Sequence, residues 1–219
     1  EDLNRFQIMK IHPAILVTSL TDYLLQISAL APVTKFFDID IIDWERTDTS
    51  TLSVDEALKV KGDFSLNFDL MMDHPKKVIK KLLNDERVKY IIINLECKDN
   101  ISELIDLIHH YKKMAGISLN PDNNFKDVLR FIKLIDIVQI YTVEPGKQGG
   151  SFIKSRLDLI DSIKKAGFNG LIEIDGGVNF KTIDLIKTFP IDIISVGSTL
   201  SKADNPLQAY ENLKKEILN

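Results

Sequence analysis

The sequence predicts an α/β protein of the (β/α)8 TIM barrel class, because short apolar runs alternate with polar turns and amphipathic segments. The centres of neighbouring runs lie about 21 to 34 residues apart, which is the length of one strand–helix unit. Strands that alternate with helices form a parallel sheet with helices on its faces. The eight runs are 11–17, 36–42, 64–71, 88–95, 116–119, 135–143, 170–174 and 191–196.

The number of runs favours a closed barrel over an open sheet. A flavodoxin-like or Rossmann sheet is the alternative fold, and it normally places a glycine-rich loop after the first strand. In this chain Thr18, Ser19 and Leu20 follow the first run. Because no Gly/Ser-rich linker divides the chain, we expect one barrel domain over residues 1–219.

Helix start signals lie between the runs. Side chains that can cap a helix precede three amphipathic segments, and in one case Pro206 stands at the first helical position. The predicted helices, each with its capping residue, are 101–114 after Asn100, 180–188 after Asn179 and 207–218 after Asn205.

Composition and charge exclude several kinds of partner. The net charge is −4 and no basic stripe is present, so we expect no nucleic-acid partner. No segment reaches the roughly 20 apolar residues of a membrane span. The first residues are polar and acidic, unlike a signal peptide, and the single cysteine, Cys97, excludes an internal disulfide. We therefore expect a cytoplasmic protein, and the sequence leaves open whether it forms a homo-oligomer.

Acidic and amide side chains recur on the inward face of the predicted strands. In the second run Asp38 and Asp40 share one face, while Ile39 and Ile41 share the face that must pack on the helices. Carboxylates that crowd into a barrel mouth need a cation, a shared proton or a ligand. The same alternation places inward Asn67 and Asp69 in the third run, Asn94 and Glu96 in the fourth, and Glu173 and Asp175 in the seventh.

Glycine-bearing loops follow the last three predicted strands. Glycine lets main-chain N–H groups approach an anion closely, and the loops after strands seven and eight are the usual phosphate site of such barrels. The sequence therefore predicts a site for a small sugar phosphate. Its predicted phosphate- and substrate-binding residues are Gly146, Lys147, Gln148, Gly149, Gly176, Gly177, Gly197 and Ser198.

Five segments, in order and at matching spacing, resemble the ribulose-phosphate 3-epimerase family: 12–16, 38–43, 69–75, 143–152 and 172–179. The resemblance implies a barrel of the ribulose-phosphate-binding type and a role in carbohydrate metabolism, in the pentose phosphate pathway. It also implies an isomerase that inverts C3 of a ketose phosphate. One aspartate removes the C3 proton and a second returns it on the other face, and by position these are Asp40 and Asp175.

The resemblance further implies a metal site, from which this chain departs. In the family two histidines and two aspartates hold the metal. Here Asp38 and Asp69 stand at the histidine positions, beside Asp40 and Asp175. Such an all-oxygen set favours Mg²⁺ or Mn²⁺ over Zn²⁺ or Fe²⁺. Metal-free catalysis is the alternative, with Lys147 or a protonated aspartate relieving the repulsion.

Three functions stay open at this point. The first is epimerisation between ribulose 5-phosphate and xylulose 5-phosphate, which the retained Asp40 and Asp175 favour. The second is a catalytically degenerate homologue that binds a sugar phosphate or a protein partner, since Ala14 replaces a serine that assists the substrate in the family. The third is an epimerase or lyase for another phosphorylated sugar. Related decarboxylases carry Asp-x-Lys-x-x-Asp on strand two, and here Asp40 stands in place of that lysine.

Overall fold

The computed structural model describes residues 9–44, 49–145 and 149–219. Its eight strands are all parallel, each pairs with the next along the chain, and the eighth pairs with the first to close the barrel. The predicted (β/α)8 fold is confirmed. The strands are β1 (Lys10–Ile15), β2 (Phe36–Asp43), β3 (Ser65–Met72), β4 (Val88–Asn94), β5 (Met114–Leu119), β6 (Ile137–Tyr141), β7 (Leu171–Asp175) and β8 (Ile193–Val196).

Helices surround the barrel between the strands. Among the helices of these ranges, none combines the length and the apolar character that crossing a membrane requires. Short 3-10 turns occur at Leu129–Phe131 and Lys154–Leu157. The helices are α1 (Leu20–Leu30), α2 (Val54–Lys59), α3 (Lys76–Leu82), α4 (Ile101–His110), α5 (Phe125–Val128), α6 (Asp158–Lys165), α7 (Ile183–Ile186), α8 (Ser198–Ser201) and α9 (Pro206–Leu218).

The predicted strand boundaries lie within two residues of the observed ones, whereas two predicted helices are too long. Helix α4 ends at His110 because Lys112 adopts a positive φ of 58°, and β5 begins soon after it. Only four residues of the predicted 180–188 helix are helical, since the side chain of Asn179 closes a turn with the N–H of Lys181. The predicted 207–218 helix is confirmed, and the Asn205 side chain caps it as α9.

Residue alternation along the strands divides the barrel into an apolar outside and a largely polar inside. Outward residues such as Ile39, Phe68 and Ile140 are fully buried in the core that the barrel shares with its helices. Inward residues near the strand starts, among them Ile137 and Ile193, form a small apolar floor. Polar side chains occupy the interior above this floor, so the strand ends carry the chemistry.

Arg156 ties together the loops at the C-terminal end of the barrel. This side chain is only 7% exposed. Its guanidinium donates to main-chain carbonyl groups of the segment after β5, with Nη1 2.7 Å from the oxygen of Asn123 and Nη2 2.8 Å from that of Asn120. Its Nε donates to the carbonyl oxygen of Tyr141 at the end of β6. One buried cation therefore joins two loops at the mouth.

We expect Arg156→Met to lower the free energy of unfolding by about 2 to 4 kcal/mol, because buried carbonyl groups lose their donors. Urea denaturation followed by circular dichroism measures this change. Arg130→Met is the matched control, since the exposed Arg130 guanidinium only stacks 4.6 Å from the Phe131 ring centroid. Equal urea midpoints for the two variants would show that Arg156 does not hold the loops.

Candidate active site

Three aspartates meet at the C-terminal mouth of the barrel. Asp40 on β2 lies beside Asp69 on β3 in the strand register, and Asp175 ends β7 on another wall. One carboxylate oxygen of each lies within 4.8 Å of those of the other two. Asp40 and Asp69 are buried, whereas Asp175 is partly exposed. We call these three residues the acidic triad, and they are three of the four predicted metal ligands.

The fourth predicted ligand, Asp38, lies one layer deeper than the acidic triad. Its Oδ1 accepts hydrogen bonds from Asn67 Nδ2 at 2.8 Å and from the Tyr90 hydroxyl at 3.0 Å, and it lies 3.1 Å from His12 Nδ1. The structure therefore does not bring Asp38 into the triad. The short side chain of Asp38 does not reach the triad, because Asp38 precedes Asp40 by two residues along β2.

A hydrogen-bonded layer lies beneath the acidic triad. The Tyr90 hydroxyl is 2.9 Å from Glu173 Oε2, and Gln139 Nε2 donates to Glu173 Oε1 at 3.1 Å. We call this set of six residues the lower layer: His12, Asp38, Asn67, Tyr90, Gln139 and Glu173. His12 is buried there and stacks on Tyr90, so its role in this layer is structural.

Tyr141 is a site residue that the sequence analysis missed. It ends β6, is 1% exposed, and its hydroxyl donates to Asp69 Oδ2 at 2.5 Å. The sequence does contain a pattern that indicates Tyr141. Gln139 between Val138 and Ile140 shows which face of the sixth run points inward, and Tyr141 lies on the same face.

Burial and mutual repulsion raise the pKa values of the acidic triad. Loss of hydration inside the barrel mouth is the main reason that the pKa of Asp40 and of the partly exposed Asp175 lies well above the ordinary value, and the other carboxylates of the interior raise it further. Burial also raises the pKa of Asp69 to about 7, although the Tyr141 hydrogen bond acts in the opposite direction. The interior thus favours shared protons or a bound cation.

The donor set of the acidic triad fits a hard divalent cation. Within the described ranges, Asp40 Oδ1 and Asp69 Oδ1 are buried acceptors with no hydrogen-bond donor. Buried carboxylate oxygens without a partner are costly, and a cation among them removes the cost. All three ligands offer oxygen, which suits Mg²⁺ or Mn²⁺.

A cavity that opens to solvent joins Asp40 and Asp175 of the acidic triad to the glycine loops. Ala14, on β1, is also part of its wall. The fourth-strand Asn94 instead faces its neighbour Asn120, to which its Nδ2 donates at 3.0 Å. The predicted residues Gly146, Lys147 and Gln148 lie outside the described residues. The cavity lining includes Asp40, Tyr141, Asp175, Gly149, Gly176, Gly177, Gly197 and Ser198.

Two of these positions need glycine because of close packing. Gly176 has a φ of 97°, and a Cβ atom there would lie 2.2 Å from a methyl carbon of Val143. Gly177 has a φ of 68°, and its Cβ atom would lie 3.2 Å from the main chain of Phe152. The loop after β7 can therefore present bare main chain to the cavity, as a phosphate site requires.

Lys202 is a second residue that the sequence analysis missed. Its Nζ lies 3.7 Å from the position that a Cβ atom on Gly149 would take, and Ser198 Oγ lies 3.9 Å from the same position. Lys202 follows α8, one helical turn after Ser198, and its N–H donates to the Ser198 carbonyl. The ammonium group thus stands at the glycine end of the cavity, where the lining residues listed above carry no positive charge.

Comparison with known proteins gives consistent results. The chain is 25% identical over 185 residues to the ribulose-phosphate 3-epimerase of Schizosaccharomyces pombe, covering 82% of this chain and 81% of that protein. It is 29% identical over 188 residues to the ribulose-phosphate 3-epimerase of Chlamydia muridarum, covering 82% and 80%.

A solved structure shows the same fold, that of KGPDC from Streptococcus mutans in complex with D-R5P. The TM-score is 0.72 at 15% identity, over 97% of this chain and 98% of that one. The sequence profile of the ribulose-phosphate 3 epimerase family matches residues 10–201. With 192 of the 219 residues inside the match, the chain belongs to the ribulose-phosphate 3-epimerase family.

Proposed function

We propose that this protein is an isomerase that interconverts ribulose 5-phosphate and xylulose 5-phosphate by inverting C3. The observation that carries the proposal is that Asp40 and Asp175 face one cavity whose far end consists of the glycine loops. Strands β2 and β7 lie three steps apart around the ring, so the two carboxyl groups approach the cavity from different walls. Membership of the family supports the same reaction.

The proposed reaction is a proton transfer between two aspartates through the substrate. C3 of a ketose phosphate lies next to the C2 carbonyl group, so its proton can leave to give an ene-diolate. One carboxylate, Asp40 or Asp175, accepts this proton as the C3–H bond breaks and its electron pair moves toward the C2 oxygen. The other aspartate, in its protonated form, donates a proton to the opposite face of C3. The product carries the inverted configuration, and the two aspartates have exchanged protonation states.

This exchange needs one ionised and one protonated aspartate at the same time. Burial, with the repulsion of neighbouring carboxylates, raises the pKa of both Asp40 and Asp175. Two close carboxyl groups of this kind share a proton because they cannot both ionise at low cost. The electrostatics of the interior therefore support the proposed roles.

We further propose that Asp40, Asp69 and Asp175 hold a divalent cation, Mg²⁺ or Mn²⁺. When bound, the cation supplies electrostatic stabilisation for negative charge on the C2 oxygen. The substrate phosphate lies at the other end of the cavity, against Gly149, Gly176, Gly177, Gly197 and Ser198, with the Lys202 ammonium group nearby. In this proposal C3 of the substrate lies between Asp40 and Asp175.

The direct test incubates the protein with ribulose 5-phosphate in deuterated water, with Mg²⁺ or Mn²⁺ added. We expect NMR spectra to show deuterium at C3 and the appearance of xylulose 5-phosphate. If no deuterium enters C3 with Mg²⁺ and none with Mn²⁺, the proposal is wrong. Tight binding of the substrate without turnover would favour the catalytically degenerate alternative.

Replacement of either proposed proton-transfer residue should abolish most epimerisation but leave exchange of the C3 proton with solvent for one of the two epimers. We expect Asp40→Asn and Asp175→Asn each to lower kcat by at least about 100-fold, the range for loss of a general acid or base. Each variant retains one aspartate, so each should exchange the C3 proton of one epimer only, and the two variants should prefer opposite epimers. Asp122→Asn, at an exposed aspartate after β5, is the control. Exchange of the same epimer by both variants would contradict the two-sided mechanism.

Lys202→Gln should weaken substrate binding through the phosphate. We expect KM for ribulose 5-phosphate to rise about 10-fold with kcat nearly unchanged, because one charge-assisted contact is lost in ground and transition state alike. Lys214→Gln on α9 is the control for the change in net charge. A KM equal to that of the control would place the phosphate away from Lys202.

The metal-free protein should lose stability as pH rises. The folded pKa of Asp69, about 7, exceeds its ordinary value of 3.8, so the stability it contributes is complete below about pH 4 and is lost as pH rises through 7. We expect Tm at pH 8 to be lower than at pH 5 by more than about 5 °C. Mg²⁺ or Mn²⁺ should recover most of this difference by binding the folded form.

Thermal melts with and without chelator measure the effect. Asp69→Asn removes one titrating carboxyl group, so its Tm should depend less on pH. A Tm in chelator that is the same at both pH values would show that the interior carboxyl groups are not the source of the effect.

A further inference from the structure

Asp69 and Tyr141 form a contact across the barrel mouth that the proposed reaction does not explain. Asp69 lies on β3 and Tyr141 ends β6, three strands away around the ring. Both side chains are at most 2% exposed, and the Tyr141 hydroxyl donates to Asp69 Oδ2 at 2.5 Å. A tyrosine from the far wall therefore fixes one of the two oxygens of this carboxyl group.

The other oxygen of Asp69 is the one left for a ligand. Asp69 Oδ1 is buried, and within the described part of the chain it accepts no hydrogen bond. Asp40 Oδ1 is in the same state, and the two residues belong to the group whose oxygens lie within 4.8 Å of one another. Two unpartnered, buried acceptors in one acidic group point to a cation between them.

A hydrogen bond to one carboxylate oxygen sets the direction of the other. An aspartate that is held in this way cannot rotate its second oxygen away from a bound ion. Groups that contact metal ligands in this manner fix their orientation, and their loss typically weakens metal binding by 10- to 100-fold. Tyr141 is suited to this role because its ring is packed and its hydroxyl reaches across the mouth.

We propose that Tyr141 is a positioning residue that orients Asp69 as a ligand of the divalent cation, an inference that rests on the cation site of the proposed function. Tyr141 is not itself a ligand in this proposal. It acts through Asp69, by engaging Oδ2 so that Oδ1 faces the ion. The proposal makes the effect of the tyrosine hydroxyl depend on the presence of the Asp69 carboxylate.

The experiment measures Mn²⁺ binding by titration calorimetry and therefore does not depend on turnover. We expect Tyr141→Phe, which removes only the hydroxyl, to raise the Kd for Mn²⁺ by about 10- to 100-fold. The Mn²⁺ concentration that gives half-maximal isomerase activity should rise by a similar factor.

A double-mutant cycle tests whether the tyrosine acts through Asp69. In an Asp69→Asn background the carboxylate is already absent, so adding Tyr141→Phe should change the Mn²⁺ affinity by less than about 2-fold. Tyr90→Phe is the matched control, because Tyr90 is also buried and its hydroxyl lies within hydrogen-bond distance of carboxylates, but those of the lower layer. We expect its Mn²⁺ affinity to stay within about 3-fold of the unaltered protein.

Several outcomes would overturn the inference. These are Mn²⁺ affinity unchanged in Tyr141→Phe, an equal loss in both backgrounds, and no Mn²⁺ binding by the unaltered protein. Exchange of deuterium at C3 is measured separately and decides the proposed isomerase reaction, so the two failures can be told apart. If Tyr141→Phe does not fold, Tyr141→Met fills the same buried space and enters the same measurements.

Discussion

The interior of this barrel is governed by repulsion among five carboxyl groups that strand closure places in one enclosed space. Two like charges 4.8 Å apart, the outer limit within the acidic triad, repel by about 3 kcal/mol at an effective dielectric constant near 20. The chain offsets this repulsion with neutral donors and with shared protons. The five residues are Asp38, Asp40, Asp69, Glu173 and Asp175.

The offsetting groups divide the interior into two levels with different roles. In the lower layer, Tyr90, Asn67 and Gln139 donate to Asp38 and Glu173, so these acids are engaged by the protein itself. In the acidic triad above, only Asp69 receives a tyrosine hydroxyl, and buried oxygens of Asp40 and Asp69 lack donors within the described ranges. Asp38 Oδ2 in the lower layer also lacks a donor within the described ranges, but the acids that line the cavity are Asp40 and Asp175, so ligand chemistry is expected at the strand ends.

Much of this arrangement could be predicted from residue alternation. A strand has a side-chain period of two, so the isoleucines flanking Asp40 and Asp175 determine that these aspartates point inward. Neither alternation nor the family resemblance that puts Asp38 at a metal-ligand position shows how deep a side chain lies in the barrel, and this is why Asp38 was grouped with residues that lie a layer above it. It also does not pair distant strands, which is why the contact between Tyr141 and Asp69 had no counterpart in the sequence analysis.

The sequence by itself determined the barrel class, the strand positions and the inward face of β2, β3, β4 and β7, because all three follow from local hydrophobic periodicity. Only the tertiary structure decided which inward residues meet, because closing the ring sets the stagger and the depth of side chains from different strands. The separation of Asp38 from the acidic triad, the reach of Tyr141 across the mouth and the approach of Lys202 to Gly149 are all consequences of that closure.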